Sequence, residues 1–321
     1  MGKDNKDSKI LSKIGKVIVP VLVMALIIYE ARNIFKEINI THVAELMRST
    51  SLSYLMIFFM VAVIAIVSLC AYDFVLMDYY NYKVKLLDIL RISWICVSFN
   101  NIMGFGGLTG ATLRTYLFKK EGIETRDLIN YNMILVPSSI IGLSFMTLFS
   151  LTNAFGTYTM LNRLKWLWFP VIAFCLFIPI YFVLGNFKWL DEKLKKFNLY
   201  FEGSFDIKLK LTVFSILEWI SRAMLLYVIA RSFNCSSSYL AILGVDLISA
   251  AAGLISFIPS GVGSYDIIAL MGLGQLGFSG DVGLSIILLF RIFYFIIPWV
   301  VGGILWVITL LINVFKKNKA V

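Results

Sequence analysis

The chain has 321 residues, of which 60% are hydrophobic and only 15% are charged. An ordinary soluble domain carries about a quarter charged residues, so this composition excludes a soluble domain as the main part of the chain. The formal charge of +10 could suggest a nucleic-acid partner, but the basic residues lie in the N-terminal tail and beside apolar runs. The positive-inside rule explains that placement, and we therefore expect a single polytopic membrane domain over 1–321 and no nucleic acid.

The predicted elements follow the apolar runs of the sequence. A lysine-rich tail, 1–14, precedes the first run without a cleavage site after it, which predicts an uncleaved first helix and a cytoplasmic N-terminus. Runs that approach the roughly 20 residues a membrane-spanning helix needs then recur along the chain. The predicted spans are 15–35, 52–75, 131–152, 166–185, 211–232, 282–297 and 299–315, and the polar segment 186–210 is predicted to be a cytoplasmic loop.

Two apolar stretches, 86–118 and 239–276, are each broken in the middle by a glycine-rich turn. Non-helical backbone at membrane depth must be packed in protein or line a wet cavity, so both stretches are predicted to be re-entrant helical hairpins. The fold class is then an all-α integral membrane protein with about seven or eight transmembrane helices and two re-entrant hairpins. Residues 52–185 and 211–315 would form an inverted repeat, which is a common plan of transporters.

The basic residues set an expectation for orientation. Those around 83–126 place the first hairpin open to the cytoplasm, and the second hairpin then opens to the outside. Counting 282–297 and 299–315 as two spans puts the basic tail 316–319 outside, against the rule. If 282–315 were one helix bent around Pro298, or if a hairpin were a full crossing, the tail would return to the cytoplasm.

Each hairpin turn leads directly into a helix start, near Thr109 and Ser264. A helix N-terminus has free N–H groups and a partial positive charge, which favour phosphate, and glycines let backbone approach a headgroup closely. The two turns are therefore a candidate site for an anionic headgroup, with tight helix packing as the alternative reason for the glycines. The turn residues of this candidate site are Gly104, Gly106, Gly107, Thr109, Gly261 and Gly263.

Ionisable side chains inside apolar runs are costly and are therefore functional candidates. Arg114 could hold a phosphate or extend to the membrane interface, and Asp266 could cap its helix or contact a cationic headgroup. Glu218 and Arg222, four residues apart, are predicted to form an ion pair, with a role in gating or headgroup binding as the alternative. The substrate-binding candidates of this kind are Arg114, Glu218, Arg222, Asp246, Asp266 and Arg291, with Tyr294 beside Arg291.

Arg291 has no neutralising neighbour in the sequence. Asp246, Asp266 or a lipid phosphate is the expected partner. Chemistry other than binding has little support, because the single histidine, His42, lies in a polar connection and the four cysteines lie far apart. The first glycine-rich turn also lacks the Gly-Lys-Ser/Thr ending of a nucleotide-binding P-loop. We therefore expect no catalytic residue, no metal and no cofactor.

Three segments carry a resemblance to a known family: Gly104 to Arg114, Ile258 to Asp266, and Arg291 to Tyr294 followed by Pro298. They resemble the N-terminal transmembrane flippase domain of MprF, the lysylphosphatidylglycerol synthetase and flippase of bacteria, and its stand-alone relatives. The resemblance runs over nearly the whole chain. The second segment departs from the family pattern, with Ser260 where glycine is common and Asp266 where glutamate is common.

The resemblance implies that the chain moves aminoacylated phosphatidylglycerol from the inner to the outer leaflet of the bacterial plasma membrane. That movement would blunt cationic antimicrobial peptides. Arg114 and Arg291 would contact phosphate, and Asp246, Asp266 or Glu218 would lie near the aminoacyl amine. The synthetase's soluble aminoacyl-transferase domain is not among these 321 residues, so we do not expect the chain to make the lipid. A homodimer and a separate synthase are the implied partners, besides phospholipid and membrane.

Two other functions remain open from the sequence. The chain could move another lipid with a polar headgroup, such as a polyprenyl-linked carrier. It could instead be a non-transporting scaffold for a separate phosphatidylglycerol lysyltransferase, in which case the buried charges would serve assembly only. Competition between headgroups separates the first alternative from the leading hypothesis, and charge-removing substitutions that leave transport unaltered would favour the second.

Overall fold

The computed structural model describes residues 38–104, 107–183, 204–234 and 236–318, with side chains through Leu311. All regular secondary structure in these residues is helical, which confirms the predicted all-α class. The helices are α1 (Ile40–Arg48), α2 (Leu52–Tyr79), α3 (Leu86–Met103), α4 (Leu108–Lys119), α5 (Thr125–Leu148), α6 (Tyr158–Arg163), α7 (Trp168–Val183), α8 (Phe205–Ser232), α9 (Tyr239–Ile255), α10 (Ser264–Gln275), α11 (Gly280–Arg291) and α12 (Ile297–Asn318).

Six helical segments of the described chain are long and apolar enough to cross a membrane. The predicted spans at 52–75, 131–152, 166–185 and 211–232 are confirmed with longer or shifted bounds, and the predicted span 15–35 and tail 1–14 lie outside the described residues. The six segments are Leu52–Tyr79, Leu86–Met103, Thr125–Thr152, Lys165–Val183, Phe205–Ser232 and Gly280–Leu311.

The last two predicted spans, 282–297 and 299–315, are one helical segment, so their separation into two helices is wrong. A π-helical stretch, Ile292–Ile296, joins α11 to α12 without a break. Pro298 has no N–H, and its ring would collide with the carbonyl of residue 294 in a regular α-helix. The wide turn just before the proline relieves that collision, which is one of the known causes of a helix bend.

The predicted loop 186–210 is wrong at its C-terminal end, because α8 already begins at Phe205. The Ser204 hydroxyl accepts a hydrogen bond from the Ile207 N–H and caps the helix. Lys208 is buried, and its ammonium lies 5.8 Å from the centre of the Tyr181 ring. A lysine stem can pack along apolar surface in this way, so its charge does not exclude it from a helix. Residues 186–203 lie outside the described residues.

Both predicted hairpins are pairs of contacting helices, α3 with α4 and α9 with α10. The Asn100 side-chain oxygen accepts a hydrogen bond of 3.1 Å from the Gly110 N–H and so ties the two arms of the first hairpin together. In the second hairpin the hydroxyls of Ser256 and Ser264 lie 2.9 Å apart. Gly107 and Gly263 begin the second arms with φ of +88° and +81°, a conformation that glycine adopts without strain.

Helix α8 lies at the centre of the described bundle, in contact with α2, α5, α9 and α11. It approaches α5 so closely that a Cβ atom on Gly142 would lie 2.4 Å from the Ser215 carbonyl carbon. The Ser215 hydroxyl also accepts a hydrogen bond of 2.9 Å from the Gly142 N–H. This close crossing of small residues is typical of helix packing in membranes, and it fixes the position of the charged residues further along α8.

Candidate functional site

Three arginine and carboxylate pairs lie between different helices of the described bundle. Arg114 pairs with Asp73, Arg222 with Asp246, and Arg291 with Asp266. Buried charges need such compensation, because an isolated charge in an apolar interior costs a large desolvation energy. The pairs connect both hairpins to the long helices, and we define them with their contacting residues as the candidate site.

The first pair joins α4 to α2. The Arg114 Nε donates to both oxygens of Asp73, at 2.9 and 3.3 Å, and both side chains are buried. The Tyr131 hydroxyl of α5 donates to the same carboxylate. Arg114 therefore lies in an internal ion pair that joins three helices, and it does not extend away from the bundle as the alternative interpretation of its sequence position required.

The second pair differs from the sequence prediction. Arg222 does not bind Glu218, four residues earlier on α8, and instead donates from one terminal nitrogen to Asp246 of α9 at 3.1 Å. The Tyr265 hydroxyl donates to the other oxygen of Asp246 at 2.7 Å. The Arg222 guanidinium carbon also lies 4.9 to 5.5 Å from the centres of four aromatic rings, a geometry of cation–π attraction. These rings belong to Trp219, Tyr265, Phe290 and Tyr294.

The reason that Arg222 prefers Asp246 is positional. Asp246 is completely buried and has no other basic partner among the ion pairs of the described residues. Removing one partner of a buried ion pair costs about 3 to 5 kcal/mol, and Glu218 has the Tyr72 hydroxyl of α2 as its hydrogen-bond partner instead of Arg222. Arg222 therefore pairs with Asp246 of another helix and not with Glu218 of its own helix.

The third pair holds the turn of the second hairpin. The Arg291 Nε donates to Asp266 at 2.7 Å, and its terminal nitrogens donate to the backbone carbonyls of Ser260 and Gly261 at 2.8 and 3.3 Å. The other carboxylate oxygen of Asp266 accepts from the Gly263 N–H at 2.8 Å. Asp266 thus both caps α10 and neutralises Arg291, and the expectation that Arg291 finds Asp246 or Asp266 as partner is met by Asp266.

The turns of the two hairpins touch each other. The Ser260 hydroxyl lies 2.5 Å from the backbone carbonyl oxygens of both Asn101 and Ile102, at the end of α3. A Cβ atom on Gly104 would lie 3.4 Å from the Ser260 N. Because Arg291 holds Ser260 from the other side, the arginine, the second turn and the first turn form one connected unit.

Glu218 has a different environment from the other buried carboxylates. Its side chain accepts a hydrogen bond of 2.6 Å from the Tyr72 hydroxyl of α2. Tyr72 is the neighbour of Asp73, so this contact connects the first ion pair to α8. No arginine or lysine of the described residues forms an ion pair with Glu218.

The structure thus brings most of the predicted site residues into contact with one another through their partners. Gly104, Gly261, Gly263, Asp266 and Arg291 lie at the meeting point of the turns. Gly107 and Thr109 start α4 on the other side of the first turn, and Gly106 lies outside the described residues. The remaining predicted residues, Arg114, Glu218, Arg222, Asp246 and Tyr294, belong to the pairs and contacts described above.

Sequence reasoning missed several residues of this site. Asp73 lies in a predicted span and could have been found, since every ionisable residue within an apolar run is a candidate. Tyr72, Tyr131 and Tyr265 gave no such signal, because tyrosines are common in membrane helices and only their hydroxyl contacts distinguish them here.

Polar contacts also close the open end of the first hairpin. Arg91 pairs with Asp88 at 2.7 Å and lies 3.9 Å from Glu121, which follows α4. The Tyr82 hydroxyl donates to Asp127 at the start of α5. This hydrogen bond, followed by burial and the charge of Asp127, raises the pKa of Tyr82 to about 12. Tyr82 therefore stays protonated at neutral pH and remains a donor that ties the two segments together.

The helical fold and the charged interior define a polytopic helical membrane protein. The family model described as "Lysylphosphatidylglycerol synthase TM region" matches residues 17–302, and the chain belongs to this family. This confirms the family that the sequence segments suggested.

Relatives named phosphatidylglycerol lysyltransferase include those of Bacillus subtilis (strain 168), 27% identical over 89% of this chain, and Staphylococcus haemolyticus (strain JCSC1435), 26% identical over 94%. The relative of Staphylococcus aureus (strain MRSA252) is 28% identical over 75% of this chain. The matched regions make up 33%, 34% and 28% of those proteins, so the chain spans about a third of their length.

Proposed function

We propose that this protein is a lipid flippase that moves aminoacylated phosphatidylglycerol, such as lysylphosphatidylglycerol, from the inner to the outer leaflet of the bacterial plasma membrane. The observation that carries the proposal is the contact between the two hairpin turns, where the Ser260 hydroxyl binds the end of α3 beside the partly buried pair of Arg291 and Asp266. Membership of a family described by this lipid supports the substrate class. Added positive charge on the outer surface would then weaken the binding of cationic antimicrobial peptides.

The charged groups of the site suit a headgroup with both signs of charge. A lysyl-phosphatidylglycerol headgroup carries an anionic phosphate and cationic amines. Arg114 and Arg291 have planar guanidinium groups that bind phosphate oxygens well, and Asp246, Asp266 and Glu218 supply carboxylates for an amine. Each arginine already has an aspartate partner. A headgroup phosphate would therefore replace that aspartate and would not bind an unpaired arginine.

An apolar groove beside the site offers a place for an acyl chain. It has a volume of about 290 Å³. Phe293, one of its residues, directly precedes Tyr294, whose ring faces Arg222 at 5.5 Å. A headgroup near the ion pairs would therefore leave its acyl chain along this groove, in contact with the bilayer. The groove is lined by Leu55, Met56, Phe59, Met60 and Phe293.

The order of the helices supports alternating exposure of the site. A long helix, a hairpin and a further long helix occur as α2, α3/α4 and α5, and again as α8, α9/α10 and α11/α12. We interpret these two units, within the predicted ranges 52–185 and 211–315, as inverted repeats whose re-entrant hairpins meet at their turns. Helix α7 has no counterpart in the second unit, because α11 and α12 form one continuous segment. In this mechanism the turns separate to one side of the membrane at a time.

A leaflet assay tests the substrate. Purified protein in liposomes is given fluorescent lysylphosphatidylglycerol or plain phosphatidylglycerol, and outer-leaflet quenching reports the exchange. We expect faster exchange of the aminoacylated lipid, which Arg114→Ala and Asp266→Ala reduce to the rate of empty liposomes. Asp88→Asn, which alters an ion pair away from the turns, serves as the control with parental activity. Parent rates equal to those of empty liposomes would favour the scaffold function.

A reversible cross-link tests the mechanism within one protein. Cysteines at Asn101 and Ser260, in a variant that lacks the four native cysteines, would be joined by a short reducible cross-linker. We expect exchange to stop when the turns are linked and to return after reduction, because the turns must separate during transport. Single-cysteine variants treated in the same way should stay active. Undiminished exchange with a complete cross-link would contradict alternating separation of the turns.

A further inference from the structure

Glu218 is the one buried carboxylate of the described residues that an arginine does not neutralise. Asp73 and Asp246 are completely buried, and each has an arginine within 3.1 Å. Glu218 is almost as buried, with 5% of its surface exposed, and the Tyr72 hydroxyl is its hydrogen-bond partner. Each arginine of the three ion pairs is therefore neutralised by an aspartate, and Glu218 remains as a buried acidic group without a basic partner in the described bundle.

The surroundings of Glu218 offer little compensation for a negative charge. Facing it are Tyr72 from α2, Tyr294 from the π-helical stretch and Arg222 from its own helix, with Tyr181 of α7 near the Tyr72 hydroxyl. Arg222 is directed to Asp246 of α9. The part of α5 that packs here, 136–143, contains no ionisable residue. Glu218 thus has one hydroxyl donor and one already neutralised arginine.

A carboxylate in such a place requires a positive charge or a proton. An ionised carboxyl group buried without a partner is so costly that it binds a proton instead. The arrival of an ammonium group reverses this preference, because the pair of opposite charges stabilises the carboxylate and releases the proton. A site of this kind therefore binds one cation or one proton at a time.

We propose that Glu218 is the exchange site at which a proton and the ammonium group of the lipid headgroup replace each other, so that proton movement inward drives lipid movement outward. This inference rests on the proposed flippase function. On the cytoplasmic side the carboxylic acid loses its proton to water as it binds the ammonium. On the outer side a proton from water returns to the carboxylate, and the ammonium leaves with the lipid.

Tyr72 is the positioning residue in this exchange. Its hydroxyl donates to one oxygen of Glu218, which leaves the other oxygen to hold a proton or to meet an ammonium group. Tyr72 is next to Asp73, whose pair with Arg114 fixes this part of α2. The first hairpin and the exchange site are thereby connected by adjacent residues of one helix.

Infrared difference spectroscopy tests the exchange without transport. The parent protein in nanodiscs should show a carbonyl band of a protonated carboxylic acid at neutral pH. Addition of lysylphosphatidylglycerol should remove it, whereas plain phosphatidylglycerol should not. We expect the band to be missing in Glu218→Gln, shifted in Tyr72→Phe, and unchanged in Glu45→Gln, which alters an exposed residue of α1. A parent without the band, or a band that the aminoacylated lipid leaves unchanged, would overturn the proposal.

A pH gradient across the liposome tests the coupling. With the receiving side one pH unit more acidic, one-for-one exchange should shift the steady-state ratio of lipid between the leaflets by up to tenfold. Glu218→Gln should lose this response. If lipid exchange by the parent protein does not respond to the pH gradient, the proton coupling is overturned, but the proposed flippase function is not. Absence of parent exchange under every condition would overturn the flippase, and the infrared result would still decide whether Glu218 trades its proton for an ammonium.

Discussion

The three arginine and carboxylate pairs of the described bundle each join two different helices. The sequence showed that Arg114, Arg222 and Arg291 lie in apolar runs and need partners. It could not show which partners they take, because partners that are distant in the sequence are brought close only by the packing of helices. The Asp266 partner was among the predicted alternatives, whereas the local pair of Glu218 and Arg222 was wrong.

At this scale Asp73→Asn should destabilise the protein strongly. It leaves Arg114 buried without its counter-charge, and loss of one partner of a buried pair costs about 3 to 5 kcal/mol. The double variant Asp73→Asn with Arg114→Gln should recover a large part of that loss, since neither charge then remains. Thermal unfolding in detergent measures all three proteins.

The control for this cycle is Asp88→Asn, which removes the partly exposed partner of Arg91. Partly exposed pairs contribute about 0 to 1 kcal/mol, so its unfolding temperature should stay close to that of the parent. If the double variant were no more stable than Asp73→Asn, the two side chains would not act as a pair.

At the scale of elements, the sequence located the long helices and both hairpins, and it erred where one residue changes the local geometry. Pro298 was interpreted as a break between two spans, but the π-helical stretch before it keeps the helix continuous. The 186–210 loop was set too long because Lys208 counted as polar, although its stem packs in the protein. Such details depend on tertiary contacts that composition does not report.

The crossing of α5 and α8 leads to a prediction at this scale. Gly142→Ala would place a methyl group 2.4 to 2.5 Å from backbone atoms of Ser215, so the two helices would have to move apart. Overpacking of this kind typically costs about 1 to 3 kcal/mol. We expect a lower unfolding temperature and a lower yield of folded protein.

Gly303→Ala is the matched control for this substitution. A Cβ at Gly303 meets no atom within 4 Å, and alanine favours a helix over glycine by up to about 1 kcal/mol. It should therefore leave the unfolding temperature equal or slightly higher. Equal effects of the two substitutions would mean that the close approach of α5 and α8 is not important for stability.

At the scale of the whole molecule, the continuous last helix removes a conflict in the predicted orientation. With one helix over 280–318, the predicted topology returns the basic C-terminal end to the predicted cytoplasmic side, as the positive-inside rule favours. A contact far from the tail is consistent with this topology. The Asn39 N–H and the His42 ring bind Asp281 at 2.7 and 2.8 Å, so the segments that precede α2 and α11 lie at the same end of the bundle.

Cysteine labelling in whole cells measures this orientation. In a variant without native cysteines, Asn153→Cys and Gly277→Cys should react with a reagent that does not cross the membrane, because both loops are predicted to face outside. Glu121→Cys and Lys319→Cys should react only after the cells are opened, since they are predicted to be cytoplasmic. External labelling at Lys319→Cys together with protection at Glu121→Cys would require an odd number of crossings after 121. It would contradict the combination of a re-entrant second hairpin and a continuous last helix.

The aromatic rings around Arg222 have a practical consequence. The Trp219 ring lies 4.9 Å from the guanidinium group, and its indole N–H donates to the Ser139 carbonyl of α5 at 3.3 Å. Indole fluorescence is sensitive to both a neighbouring positive charge and the hydrogen bond of the ring nitrogen. Any rearrangement that moves Arg222 or separates α8 from α5 therefore changes the emission of this tryptophan, which gives the protein a built-in optical probe of its own interior.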